Sequence, residues 1–87
     1  MNRAALGNKG VALANLNKSK EAIYHFDKAL ETYPTYIVAS NGKGIVLCEI
    51  GKYNEAIPYL DKALQIDPIM LNSLYNKGVA LFYLDRY

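Results

Sequence analysis

Few side chains in this chain could do chemistry, and they lie far apart in the sequence. His25 is the only histidine and Cys48 the only cysteine, so neither a histidine-based metal cluster nor an intrachain disulfide can be built. A Cys–His nucleophile pair is formally available, but the two fall on different helical stretches, and His25 reads as a surface histidine. Ser40-Asn41-Gly42-Lys43-Gly44 has the look of a phosphate loop. It lacks the upstream glycine at the required spacing and the Ser or Thr after the lysine. Glu21, Asp27, Glu55 and Asp61 read as a solvated helix face, with Glu21 and Glu55 near helix N-termini where the dipole favours a negative charge. No catalytic constellation emerges. The chain is expected to be no enzyme and to hold no cofactor or metal.

The carboxylates carry a different message, because they repeat. Glu21-Ala22-Ile23, Asp27-Lys28-Ala29-Leu30 and Pro34 return 34 residues later as Glu55-Ala56-Ile57, Asp61-Lys62-Ala63-Leu64 and Pro68. Gly10, Gly44 and Gly78 share that offset, as do Lys9, Lys43 and Lys77. Asn8 through Leu13 recurs letter for letter as Asn76 through Leu81. A fixed period in this range is the signature of a solenoid. The whole chain, 1–87, therefore reads as one array, with repeats over 3–36 and 37–70 and a partial repeat over 71–87.

Each full repeat divides into two helical stretches. Leu6, Ala12, Leu13 and Leu16 share one helix face over 3–16, with Asn2 placed to cap it. Ala22, Ile23, Phe26, Ala29 and Leu30 form a second apolar stripe over 20–32, stopped by Pro34 as its copy is by Pro68. Asn17, Gly51 and Asp85 suit turns between the members of each pair. The expectation is an all-α, right-handed solenoid of antiparallel helix pairs, five helices in total. Ile37–Cys48 alone could pass for a strand, since Gly42 and Gly44 each cost ~1 kcal/mol in a helix and four residues are β-branched. Its register with the neighbouring repeats keeps it helical. Pro58 lies early enough in its helix to cost at most one hydrogen bond. The repeated glycines are expected to let a partner helix's backbone approach, with Phe26 and Leu60 filling the space beside it, and the repeated lysines to lay their stems on the helix surface.

Composition sets broad limits. With 87 residues and 52% apolar character, a globule would be marginal, whereas stacked repeats need only bury their neighbours' faces. A net charge of +2 is too weak to argue for nucleic acid or a membrane surface. The single cysteine and the lack of a signal-like apolar run suggest a cytoplasmic setting.

These residues resemble the tetratricopeptide repeat, a 34-residue helix-turn-helix family. The second repeat supplies Gly44, Leu47, Gly51, Tyr53, Ala56, Leu60, Ala63 and Pro68 to the family pattern, and the first supplies Gly10, Leu13, Ala22, Phe26, Ala29 and Pro34. The third supplies Gly78, Leu81 and Tyr87. Departures are Leu6, Ser40 and Leu74 where tryptophan is usual, and lysine where leucine is usual. The resemblance implies a superhelix whose first helices line a concave groove for peptides or partner domains. Groove positions carried over from the family fall on Asn8, Val11 and Asn15, then Asn41, Ile45 and Glu49. The third set is Tyr75, Asn76, Val79, Phe82 and Tyr83. Val11, Ile45 and Val79 would give an apolar floor, the asparagines amides for a peptide backbone, and the aromatics an anchor. Gly7, Val11, Gly42, Asn72 and Asn76 stand where chaperone-binding members clamp a C-terminal carboxylate, and none carries the clamp residue.

The function expected is a non-catalytic module that binds a peptide or partner protein through a mostly neutral groove. An RNA-binding helical repeat would need a 35-residue period and a basic groove. A regulatory array cut from a larger enzyme, and a structural or self-assembling repeat fragment, are the other readings. The last would use the face of Leu74, Gly78, Leu81 and Tyr87, which no second helix of the third repeat covers, and would produce a homo-oligomer.

Overall fold

A computed structural model describes residues 2–85. It contains α1 (Arg3–Asn15), α2 (Ser19–Thr32), α3 (Ile37–Glu49), α4 (Tyr53–Ile66) and α5 (Leu71–Asp85). Among the described residues there is no strand, and no helix is long and apolar enough to cross a membrane. Each helix packs on its chain neighbours, and the inner helices α1, α3 and α5 also touch in sequence. The result is an all-α solenoid with extents of 40 × 26 × 19 Å. Asp85, expected in a turn, is instead the last described residue of α5.

The helix ends follow from their sequences. Asn2 is extended, and its side chain accepts from the Ala5 amide at 2.8 Å. That satisfies one of the donors a helix start leaves orphaned. The turns after α1 and α3 are the same motif one period apart. Asn17 and Gly51 adopt positive φ, 61° and 81°. The following amides, Lys18 and Lys52, reach back to the Leu13 and Leu47 carbonyls at 2.9 and 2.8 Å. This is the Schellman arrangement, which needs a residue that tolerates the left-handed region, and asparagine and glycine are the two that do. α2 and α4 end just before Tyr33-Pro34 and Asp67-Pro68, where proline restricts the residue ahead of it. Pro58 sits inside α4 without ending it.

Packing explains why α3 is a helix in spite of its composition. Ala39, Val46, Leu47 and Cys48 are buried there, on two sides at once. Ala39 and Val46 join Ala22, Phe26 and Ala29 in one apolar cluster. Leu47 and Cys48 join Ala56, Leu60 and Ala80 in a second, and Ile23 packs against both. A strand could not supply both faces at helical spacing. The glycines chiefly receive side chains, and at Gly44 the partner helix's backbone also comes close, with the Leu60 amide nitrogen 3.4 Å from where a Cβ would stand. A Cβ on Gly10 would fall 2.6 Å from the Phe26 ring, and one on Gly44 2.5 Å from Leu60.

Two of the repeated lysines pair with the two repeated aspartates. That corrects the surface-stem reading for Lys43 and Lys77 and the solvated-face reading for Asp27 and Asp61, while Glu21 and Glu55 are exposed as expected. Lys43 of α3 meets Asp27 of α2 at 2.5 Å, and Lys77 of α5 meets Asp61 of α4 at 2.6 Å. The second pair repeats the first one period on, so each junction between repeats carries the same clasp. Lys43 is the more enclosed lysine. It also donates to the Tyr59 hydroxyl at 2.9 Å and stands 4.3 Å from that ring's centre. Burial pulls its pKa down, but the Asp27 carboxylate and the Tyr59 hydroxyl outweigh burial and hold it above the ordinary lysine value. A raised folded pKa contributes stability that is full below the unfolded value and lost as pH rises through the folded one. Urea unfolding should therefore show a Lys43 contribution that is constant near neutrality and fades above about pH 10.5. The Lys43→Met variant should lack that alkaline component; equal pH profiles for the two chains would disprove it.

Candidate functional site

Two hollows on the inner helices gather most of the expected groove residues. The first, of about 350 Å³, collects Val11 and Asn15 from α1, Asn41 and Ile45 from α3, and Asn72 from the start of α5. Phe26 of α2 forms part of its wall, next to Gly42. Met70, in the turn before α5, and Val38 complete the apolar lining, and no ionisable side chain enters it. Ser73 donates its hydroxyl to the Asn41 Oδ1 at 2.6 Å. The amide is thereby fixed by its carbonyl end, which leaves its NH₂ group as the end with donor capacity. Asn76 behaves otherwise: its NH₂ is committed to the Asn72 carbonyl at 2.8 Å. Asn8, Glu49 and Asn76 line neither hollow.

The second hollow, of about 540 Å³, lies on α5 and is lined by Leu74, Tyr75, Gly78, Val79, Phe82 and Tyr83. Four residues expected in the groove thus share one depression with two expected on the self-association face. Tyr83 is held by stacking on Tyr53 of α4, centroids 5.0 Å apart, and Phe82 meets Tyr83 edge-on at 5.3 Å. Leu81 is half-exposed but does not line the hollow. Tyr87 lies outside the described residues. Gly78 separates this helix from α1 and α3: a Cβ there would meet nothing within 4 Å.

The remaining reactive side chains are apart. Cys48 is buried in the second cluster, where burial, with the Glu49 charge adding, pushes its thiol pKa up. A raised pKa keeps the thiol protonated and a poor nucleophile. His25 packs edge-on against Tyr24 at 5.2 Å. Among the described residues no three His, Cys, Asp or Glu side chains gather as metal ligands do. A third hollow, between the outer helices, mixes Lys28, Lys43 and Lys62 with Asp27 and Glu31.

Sequence reasoning missed Phe26, Val46 and Met70 as parts of the first hollow. Phe26 reads as pure core, and only Gly42, opposite it, signals that its ring reaches the inner side.

Paired helices with a buried seam and hollows on the inner row define a helical-repeat protein. The chain belongs to the tetratricopeptide repeat family, whose model matches residues 4–36 and 37–69. Two solved structures are similar to it at 35% identity and a TM-score of 0.85, each over 91% of this chain. They are MamA 41-end from Desulfovibrio magneticus RS-1 and the MamA RS-1 ArsTM double mutant. This chain spans less than half of those proteins, 45% and 44% respectively. No curated protein matches it.

Proposed function

We infer that the chain is a non-catalytic protein-interaction module that binds a peptide or partner segment across its inner helices. The observation that carries this is the first hollow, apolar at its floor, rimmed by the amides of Asn15, Asn41 and Asn72, and free of charged lining. Such a site suits an uncharged apolar side chain on a backbone that can pair with amides. Tyr75, Phe82 and Tyr83 would extend the same surface toward α5. Display of a peptide library on the 87-residue chain, followed by calorimetry, tests the reading. Val11 is 39% exposed, so Val11→Asp should leave helicity intact while weakening a selected peptide by about tenfold, ~1.4 kcal/mol. Unchanged affinity would move the site elsewhere.

A second reading is self-association through α5, on which Leu74, Tyr75, Leu81 and Phe82 are exposed large hydrophobic residues.

A further inference from the structure

We propose that the hydrogen bond between Ser73 and Asn41 sets what the first hollow selects. Its ligand is an uncharged, extended peptide segment that puts one bulky apolar side chain into the hollow and a backbone carbonyl against the Asn41 NH₂ group. This rests on reading the hollow as the peptide site, and adds the hydrogen-bond polarity of the ligand and the residue that fixes it.

The hollow is enclosed by the packing of the inner row. α1, α3 and α5 all contribute to its lining, with Phe26 of α2 behind them and Ile45 and Met70 adding apolar surface. At about 350 Å³ it lies near the small end of ligand pockets, which span ~300–1,000 Å³. That is room for one bulky side chain and the backbone beside it. No ionisable side chain lines it, so a phosphate, carboxylate or ammonium group brought in would meet no opposite charge. Nucleotides, lipid headgroups and charged side chains are disfavoured on that ground. A neutral polypeptide suits it.

Burial decides which end of Asn41 faces the ligand. Ser73 is 0% exposed, and among the described residues its hydroxyl has one partner, the Asn41 side chain at 2.6 Å. Turned the other way, Asn41 would donate to the serine oxygen and leave the hydroxyl proton buried without an acceptor, which is costly. The proton therefore goes to Oδ1, and the NH₂ group is left to the hollow. Asn41 is half-buried there, whereas Asn15 and Asn72 on the rim are exposed and can turn to donate or accept. One amide thus has its polarity fixed as a donor, and what it recognises is an acceptor. The acceptor every peptide carries is its backbone carbonyl. A helix spends its carbonyls on itself, so the bound segment is extended. Ser73 never reaches this ligand; it is a positioning residue that acts through Asn41.

A random library of acetylated heptapeptide amides, whose blocked ends bring no charge, supplies the probe for the 87-residue chain. Selected peptides should be uncharged, share one bulky apolar position, and weaken about tenfold on the Val11→Asp chain. Asn41→Asp keeps one oxygen for Ser73 and turns the NH₂ group into a second carboxylate oxygen. It should bind the selected peptides at least tenfold more weakly with the helical circular dichroism retained. Selection repeated on that variant should yield lysine or arginine beside the apolar position. Ser73→Ala should weaken the selected peptides threefold or more on the native chain, but less than twofold on an Asn41→Ala chain. A role in folding alone would not depend on Asn41 in that way. Failure to select any peptide, or selected peptides indifferent to Val11→Asp, overturns the peptide-site reading and this inference with it. Peptides that Val11→Asp weakens but Asn41→Asp still binds as the native chain does overturn the Ser73–Asn41 assignment alone. So does a Ser73→Ala effect that persists on the Asn41→Ala chain.

Discussion

Phe26→Ala should remove about 3–5 kcal/mol of folding free energy. The ring is 1% exposed and is the largest fully buried side chain among the described residues. It sits between two helices at once, against Gly10 of α1 and Gly42 of α3. Three of the four other buried members of its cluster, Ala22, Ala29 and Ala39, are too short to reach into the vacated volume. A chain of this length holds only ~4–13 kcal/mol in total, so the loss removes much of what keeps the first repeat joined to the second. Leu60→Ala, at the equivalent place one period on, should cost less, about 2–5 kcal/mol. Leu60 meets Gly44 of its own hairpin, but on the next inner helix Asn76 stands one period after Gly42, so no second glycine admits its side chain there. Urea unfolding followed by circular dichroism gives the comparison. A Phe26→Ala loss below 1 kcal/mol, or a larger loss at Leu60, would contradict this view of the junction.

The period made most of the fold legible. Once Glu21 to Pro34 is seen to recur as Glu55 to Pro68, helix count and order follow, and ambiguous stretches are settled by their copies. Ile37–Cys48 shows this most clearly: residue preference alone favours a strand, but α3 is buried on two sides as only a helix there could be. The site was less legible, for reasons that can be named. Contacts between repeats join residues whose spacing has no local signature, so the Lys43–Asp27 and Lys77–Asp61 pairs looked like unrelated surface charge. Ser73 and Asn41 are a case of the same kind, since nothing in either segment announces their hydrogen bond. Phe26 reads as core from its place in the apolar stripe, and Gly42 opposite it is the one weak sign that its ring reaches the inner side. Asn76, a groove position by resemblance, lines neither hollow and donates from its NH₂ to the Asn72 carbonyl of its own helix.

Gly42→Ala and Gly78→Ala should move stability in opposite directions, although both glycines lie in helix interiors. Alanine gains ~1 kcal/mol over glycine in a helix, because it restricts the unfolded chain more and exposes less backbone. At Gly78 nothing opposes that gain, since the added methyl meets no atom within 4 Å. At monomeric concentration the Gly78→Ala melting temperature should rise by about 4–8 °C. At Gly42 the methyl would fall 2.7 and 2.9 Å from carbons on the two sides of the Phe26 ring. The ring cannot retreat, because Gly10 already holds its edge from the opposite helix at a distance that leaves no room for a Cβ. Relief must come from α1 and α3 moving apart, which opens the cluster around Ala39 and Val46. Overpacking of this kind costs roughly 1–3 kcal/mol, and with a rigid ring as the obstacle the upper end applies. The expected net loss is about 2 kcal/mol after the helix gain is counted. Paired thermal melts of the two variants at the same low concentration decide the matter. Gly42→Ala equal to or above the native chain would mean that Phe26 has another place to go.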